Sequence, residues 1–251
     1  MPLHPGFLRL PIAHRGLHGP GVPENSMAAF RAAIAAGYGI ECDIQRAGDG
    51  TAMVFHDDDL PRLTGVRGRL ADLDRAALAE LRLMGTDQPI PTLREMLAEV
   101  AGRVPLLIEI KDQSLRSTEA VGDLQDSVAG LLADYAGPVA VMSFNPHTVA
   151  AFHKAAPGVP AGLVTCGYSA LDWPALDRPR REHLARIADF DRVGAVFVSH
   201  DRKDLQNPAL LALKARGVPV LSWTIRSPGQ EAEARRVADN ITFEGYLPRL
   251  S

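Results

Sequence analysis

The stretch GIECDIQRAGDGTAMVFHDDDL, residues 39–60, carries two acids inside one apolar run and a histidine at the end of the next. Ile40, Cys42 and Ile44 alternate with Glu41, Asp43 and Gln45, the period of a strand with two unlike faces. The apolar face suits a covering layer of helices. The acidic face needs a use, because charges inside such a run are costly unless paired. Two carboxylates two residues apart on one strand repel, and either basic side chains or a divalent cation with oxygen ligands relieves the repulsion. Asp49-Gly50 is a hairpin turn signal. A two-residue loop places His56 across from Asp43 on the same face. A loop of Gly48-Asp49-Gly50 shifts the register and puts His56 opposite Cys42. Convergence of His56 on the acids therefore calls for the tighter turn or a bulge.

Further strand-like runs lie on either side: PIAH from Pro11, PLLIEI from Pro105, VAVMSF from Val139, PAGLVT from Pro160, AVFVS from Ala195, PVLSW from Pro219 and NITFE from Asn240. Helical patterns separate most of them, over Ser26 to Ala36, Thr92 to Val100, Thr118 to Tyr135, His147 to Ala156, Leu205 to Arg216 and Gly229 to Ala238. Strand–helix alternation predicts parallel strands with crossover helices, and eight such runs predict a closed (β/α)8 TIM barrel. A doubly wound open sheet is the competing arrangement. The expected organisation is one domain over residues 1–251, with a small insertion at about 57–91 after the second strand. That segment is rich in Asp, Arg and Leu and includes a short helix around Arg75 to Leu83. DRPRREHLAR, from Asp177, has the charge pattern of a solvated surface helix.

The 251 residues are 46% apolar, enough for a sizeable core, and the net charge is −3. The sequence pI of about 6.2 provides no basic field for nucleic acid. Two cysteines, Cys42 and Cys166, make neither a disulfide framework nor a cysteine-based zinc site. No apolar run approaches a membrane span, and the first ten residues lack the apolar core of a signal peptide, so a cytoplasmic protein without stable membrane insertion is expected.

In PLLIEIKD, Leu107, Glu109 and Lys111 share one face. Glu109 can add a third oxygen ligand to Glu41 and Asp43, and Lys111 can reach an anion beside it. Active sites of such barrels lie at the carboxyl ends of the strands, where these residues fall. His14 and Arg15 end the first strand. They can serve one site only if the chain turns there, which Gly16 permits. A phosphodiester is an anion that resists nucleophiles. Cations would neutralise it, and two imidazoles can move protons to and from its oxygens. Asn25 or Ser26 reads as a helix cap and Glu24 as loop support or site residue in equal measure. His200 borders the mouth only if its strand ends there.

The blocks AHRG at Ala13, PENS at Pro23, E-C-D at Glu41, FHDDDLPRLTG at Phe55, E-I-K at Glu109, SFNP at Ser143 and G-V-P-V-L-S-W-T at Gly217 resemble, in this order, the glycerophosphodiester phosphodiesterase family. The resemblance implies a (β/α)8 barrel, a divalent cation (Mg2+ or Ca2+) and hydrolysis of small glycerophosphodiesters to glycerol 3-phosphate and an alcohol. It implies His14 and His56 as the acid/base pair, and Glu41, Asp43 and Glu109 as metal ligands. Arg15 and Lys111 become phosphate contacts, and Trp223 a wall of the substrate pocket. Where the family often shows Thr-Asp near the last strand, this chain reads Thr242-Phe243-Glu244-Gly245. Glu244 is expected to alter the pocket rim without touching the proposed ligands and histidines. A lysophospholipase D-like enzyme and a non-catalytic polyol-phosphate-binding barrel are the alternatives.

Overall fold

A computed structural model describes residues 1–114 and 116–250. A short helix α1 (Gly6–Arg9) precedes β1 (Ile12–Ala13), α2 (Met27–Ala36) and β2 (Gly39–Arg46), and β2 turns back into β3 (Ala52–Val54). Two short helices, α3 (Pro61–Thr64) and α4 (Arg75–Glu80), lead to α5 (Leu93–Val100) and β4 (Leu106–Ile110). The chain then alternates through α6 (Leu124–Leu132), β5 (Val139–Ser143), α7 (Pro146–Ala155), β6 (Ala161–Thr165), α8 (Arg178–Ala185) and β7 (Phe197–Asp201). It ends with α9 (Pro208–Ala215), β8 (Val220–Ile225), α10 (Pro228–Ala234) and β9 (Asn240–Phe243).

All strands but β3 run parallel, and β1 pairs with both β2 and β9. The sheet is therefore a closed eight-stranded (β/α)8 barrel rather than an open doubly wound one. No described helix is long and apolar enough to cross a membrane.

Local sequence sets the helix starts. Asn145-Pro146, Asn207-Pro208 and Ser227-Pro228 each put a capping side chain before a proline, and each cap accepts a hydrogen bond from a first-turn N–H. Thr92 and Glu95 form a reciprocal capping box on α5. Two helices start well after the sequence pattern predicts, and the last, Pro228–Ala234, ends four residues before Ala238. Leu124–Leu132 replaces the span from Thr118 because the Thr118 carbonyl accepts from Asn145 Nδ2 and Gly122 is left-handed. Pro208–Ala215 replaces the span from Leu205 because Asn207 caps the helix there.

Inside the barrel, Ile12, Leu107, Ala140, Met142, Val164, Phe197 and Leu221 pack as one apolar cluster, closed from below by Leu3 and by Phe7 of α1. Gly162 makes room for this filling: an added Cβ would lie 2.5 Å from the Phe197 ring. Asn240 ties α1 to the barrel by donating to the Phe7 and Leu10 carbonyls. A second, larger core lies between the strands and the helices. The segment after β3 has an apolar cluster of its own, in which Leu60, Leu70, Leu78 and Leu83 pack on Met53 and Phe55. The apolar floor leaves the carboxyl ends of the strands as the one open end of the barrel interior among the described residues.

Candidate active site

Strand β1 stops after two residues, so it pairs with β2 only at Gly39 and Ile40. Strand β3 covers the same edge of β2 from Ile44 upward. Between them the edge at Glu41 to Asp43 is open, and its carbonyls are satisfied by single N–H groups, Gly16 on Glu41 and Phe55 on Asp43. Through this gap the loop after β1 and the loop after β3 bring their polar side chains onto the acids. The turn after β1 needs two successive left-handed residues, Arg15 at φ 56° and Gly16 at φ 78°. Only glycine fits the second, since a Cβ there would lie 2.8 Å from Ala29 and meet the first turn of α2.

The hairpin has the wider of the two loops considered from sequence. Ile44 faces Val54 and Arg46 faces Ala52, so the register continues to Phe55 opposite Asp43 and not to His56. The expectation that His56 needs a tight turn or a bulge is therefore corrected. Strand β3 ends at Val54, and the bend that follows carries His56 to the cavity wall beside Asp43.

Asp43 and Glu109 are register partners on adjacent parallel strands, and Glu41 lies one pleat below Asp43. The three carboxylates are 2, 1 and 7% exposed for Glu41, Asp43 and Glu109, and each offers an oxygen within 4.8 Å of the others. Two unit charges 4 Å apart repel by about 4 kcal/mol even at an effective dielectric of ~20, so three such acids cannot stay ionised without cations. Lys111 supplies one: Nζ lies 2.7 Å from Asp43 Oδ1 and 2.6 Å from Glu109 Oε1. Arg15 supplies another, with Nε 3.2 Å from Asp43 Oδ2. Despite burial, Lys111, His56 and Arg15 hold Asp43 far below the usual carboxylate range. Among the described residues Glu41 accepts one hydrogen bond, from the backbone N–H of Arg15 at 2.9 Å, with His14 Nε2 4.0 Å away. Burial, with Asp43 and Glu109 beside it, pushes the Glu41 carboxyl well above its ordinary value. The donor set is thus all oxygen, buried and one positive charge short, which fits a hard divalent cation such as Mg2+ or Ca2+.

Both histidines present Nδ1 to a carboxylate. His14 Nδ1 lies 2.6 Å from Glu244 Oε2, and His56 Nδ1 lies 2.7 Å from Asp57 Oδ1. An arginine backs each carboxylate, Arg226 on Glu244 and Arg62 on Asp57. Burial lowers the His14 pKa below its ordinary value, against the opposing pull of Glu244. Glu244 therefore touches a proposed catalytic residue, contrary to its expected place on the rim. Its side chain crosses from the end of β9 to the end of β1, a contact 230 residues apart that no local pattern announces. Asn25 is a second partner missed from sequence. Ser26 alone caps α2, while Asn25 donates from Nδ2 to Asp43 Oδ2 at 2.9 Å and orients it. Glu24 bridges Arg15 and Arg62. His200 points away from the mouth, buried between Thr165 Oγ1 and Asp204.

The three acids, Arg15, Lys111 and the rings of His14 and His56 line a cavity of about 240 Å³. Opposite the charges stands an aromatic wall. Phe144 meets Trp223 edge-on at 5.6 Å between centroids and Trp173 at 5.0 Å. Trp223 is fixed by Nε1 donating to the Ser199 carbonyl at 3.0 Å. His14, Arg15, Glu41, Asp43, His56, Glu109, Lys111 and Trp223 all face this one space.

A (β/α)8 barrel whose mouth gathers buried acids, basic side chains and two imidazoles suits chemistry on an anion, and comparison with known proteins gives the class as a phosphoric diester hydrolase. Residues 14–241 match the glycerophosphoryl diester phosphodiesterase family, and the chain belongs to that family. It is 29% identical to human glycerophosphodiester phosphodiesterase 1 over 242 residues, covering 86% of this chain and 71% of the human protein. The fold is similar to that of an Oleispira antarctica phosphodiesterase solved with the product sn-glycerol-3-phosphate, with a TM-score of 0.74, 23% identity and 94% of each chain covered. It is also similar to the Thermotoga maritima glycerophosphodiester phosphodiesterase, with a TM-score of 0.71, 23% identity and 93% of this chain and 94% of that one covered.

Proposed function

We propose that this hydrolase cleaves small glycerophosphodiesters to glycerol 3-phosphate and an alcohol, with divalent-cation dependence and histidine acid/base chemistry. The observation that carries the proposal is the convergence of three buried acids, two cations and two carboxylate-bound imidazoles on one cavity. Glu41, Asp43 and Glu109 would hold the cation, which supplies positive charge for a phosphodiester oxygen. Arg15 and Lys111 bind the remaining phosphate charge and orient phosphorus between the histidines. His14 takes the proton of the attacking hydroxyl at Nε2, and His56 gives a proton to the departing alcohol oxygen. The nucleophile is the glycerol 2-hydroxyl, giving a cyclic phosphate that water then opens. Trp223 and Phe144 form the apolar side of the pocket. The insertion at about 57–91 belongs to the same functional unit, since it provides Asp57 and Arg62.

The test is a panel of glycerophosphodiesters differing in head group, assayed for glycerol 3-phosphate release with EDTA and with Mg2+ or Ca2+ added back. Activity that EDTA abolishes and a cation restores is expected. No release from any member ends the proposal. Unchanged turnover of a 2-deoxy substrate would replace the internal nucleophile by water.

A further inference from the structure

Glu244 ends the last strand and bonds to a histidine at the end of the first. Its Oε1 accepts from Arg226 Nε at 2.8 Å, and its Oε2 lies 2.6 Å from His14 Nδ1 and 3.6 Å from His18 Nε2. The donor atoms of His14, His18 and Glu244 lie within 4.8 Å of one another, a spacing that a metal could also use. Unlike the all-oxygen trio, this cluster has a single carboxylate, and its second oxygen is taken by Arg226, so it does not offer the oxygen set that a hard divalent cation takes. The hydrogen bond from His14, with the His18 imidazole 3.6 Å away, keeps the Glu244 carboxyl far below its ordinary value, so it is an acceptor only.

The geometry points to Glu244 as a positioning residue that locks His14 in the tautomer with its proton on Nδ1 and its Nε2 lone pair toward the substrate cavity. A neutral imidazole has one N–H and one lone pair. Nδ1 faces an ionised carboxylate, so the N–H must be there. Nε2 is on the cavity side, 4.0 Å from Glu41 Oε2. When Nε2 takes the proton of the attacking hydroxyl, Nδ1–H stays bonded to Glu244, and the carboxylate offsets the new imidazolium charge. The new P–O bond forms as the bond to the leaving alcohol breaks, and that oxygen receives its proton from His56. Asp57 holds the ring of His56 in the same way from the neighbouring position. Rebuilding that device on His14 takes a residue from the opposite end of the chain. The inference rests on the phosphodiesterase function proposed above, but its spectroscopic test does not.

The experiment compares wild type, E244Q and E244A. The His14 tautomer is read from long-range 1H–15N correlations in a His-labelled protein, and steady-state kinetics are measured on glycerophosphocholine with saturating Mg2+ or Ca2+. Wild type should show His14 protonated on Nδ1, and both variants a tautomer mixture. The kcat of E244Q should fall about 10–100-fold with KM changed less than about threefold, because the substrate contacts remain. E244Q preserves side-chain volume and carries the test if E244A does not fold. A His14 tautomer unchanged in E244Q, or an E244Q kcat equal to that of wild type, overturns the inference. A wild type inactive on every glycerophosphodiester overturns the proposed function, while the tautomer still decides the role of Glu244.

Discussion

Around β1, β2 and β4 the cavity-facing side chains are His14, Glu41, Asp43, Glu109 and Lys111, and around β5, β6, β7 and β8 they include the apolar and aromatic Met142, Phe144, Val164 and Trp223, with Ser199, Asp201, Arg202, Lys203 and Arg226 beside them. The two halves differ in backbone as sharply as in chemistry. The aromatic half is made of strands of five or six residues, regular except near the end of β8, where the pairing with β9 shifts register between Ser222 and Ile225. The charged half has a two-residue first strand, a hairpin leaning over the second, and two left-handed residues in a row. Regular strands can deliver Asp43 and Glu109 side by side. They cannot bring His14, Arg15 and His56 to the same point, because neighbours on a strand face opposite ways. The irregular backbone lets imidazoles and guanidinium approach a strand edge, and ion pairs hold it in shape.

If the charged half does the chemistry, removing one imidazole should give the largest effect. H14A and H56A should each lower kcat by about 10²–10⁴ with little change in KM. Far-UV circular dichroism and Tm should stay close to wild type, since both side chains sit at the cavity wall rather than in the apolar clusters. A variant that keeps more than a third of wild-type kcat would dissolve the contrast between the halves.

Lys111 sharpens the contrast through stability. It is paired with Asp43 and Glu109, which, despite its burial, hold its ammonium above the ordinary lysine range. K111M leaves buried carboxylates with one cation fewer and should destabilise by about 3–5 kcal/mol, measured by urea unfolding in EDTA. Millimolar Mg2+ or Ca2+ should restore part of the loss, because a ligand of the native state alone stabilises it by mass action. Identical unfolding curves with and without cation would remove the case for a cation between these acids.

The aromatic half should answer in KM. W223A opens the pocket wall and should raise KM about tenfold with kcat within about threefold, roughly 1.4 kcal/mol of binding. W223F keeps the apolar wall but leaves the Ser199 carbonyl without its donor, and its effect should be smaller. A kcat loss in W223A as large as that in H14A would mean that the two halves share the chemistry.

The sequence shows these halves unequally. The eight strands are legible because prolines at 11, 105, 138, 160 and 219 punctuate short apolar runs, and helix starts are legible because capping residues precede them. Alternation alone places Glu41 and Asp43 on one face, and the parallel register adds Glu109 and Lys111. What stays hidden depends on exact register or on contacts distant in the chain. One residue of hairpin loop length decides how His56 arrives, and Gly48 to Gly50 allow either length. Asn25 looks like a cap because asparagine before a helix usually is one, yet its left-handed backbone turns it toward Asp43. Glu244 meets His14 only because the barrel closes last strand on first.

The smallest expected effect concerns the clasp that holds the irregular half together. Arg62 of α3 donates to both oxygens of Glu24 and both oxygens of Asp57, linking the loop after β1 to the loop after β3. Burial opposes ionisation of either acid. The hydrogen bonds from Arg62 and Arg15 still hold Glu24 below its ordinary 4.5, and those from His56 and Arg62 hold Asp57 below its ordinary 3.8. A carboxyl depressed in the folded state binds fewer protons there than in the unfolded chain, so stability rises with pH through that window. The contribution is fully present above about pH 4.5 and is lost as pH falls below 3.8 and the acids become protonated. Arg62 is half-exposed, so screening limits its contribution, and R62M should lose roughly 1 kcal/mol at pH 7 in urea unfolding. The difference between R62M and wild type should shrink as pH is lowered from 5 to 3. A difference that stays constant across that range would assign Arg62 a packing role and remove the case for an electrostatic clasp between the two loops.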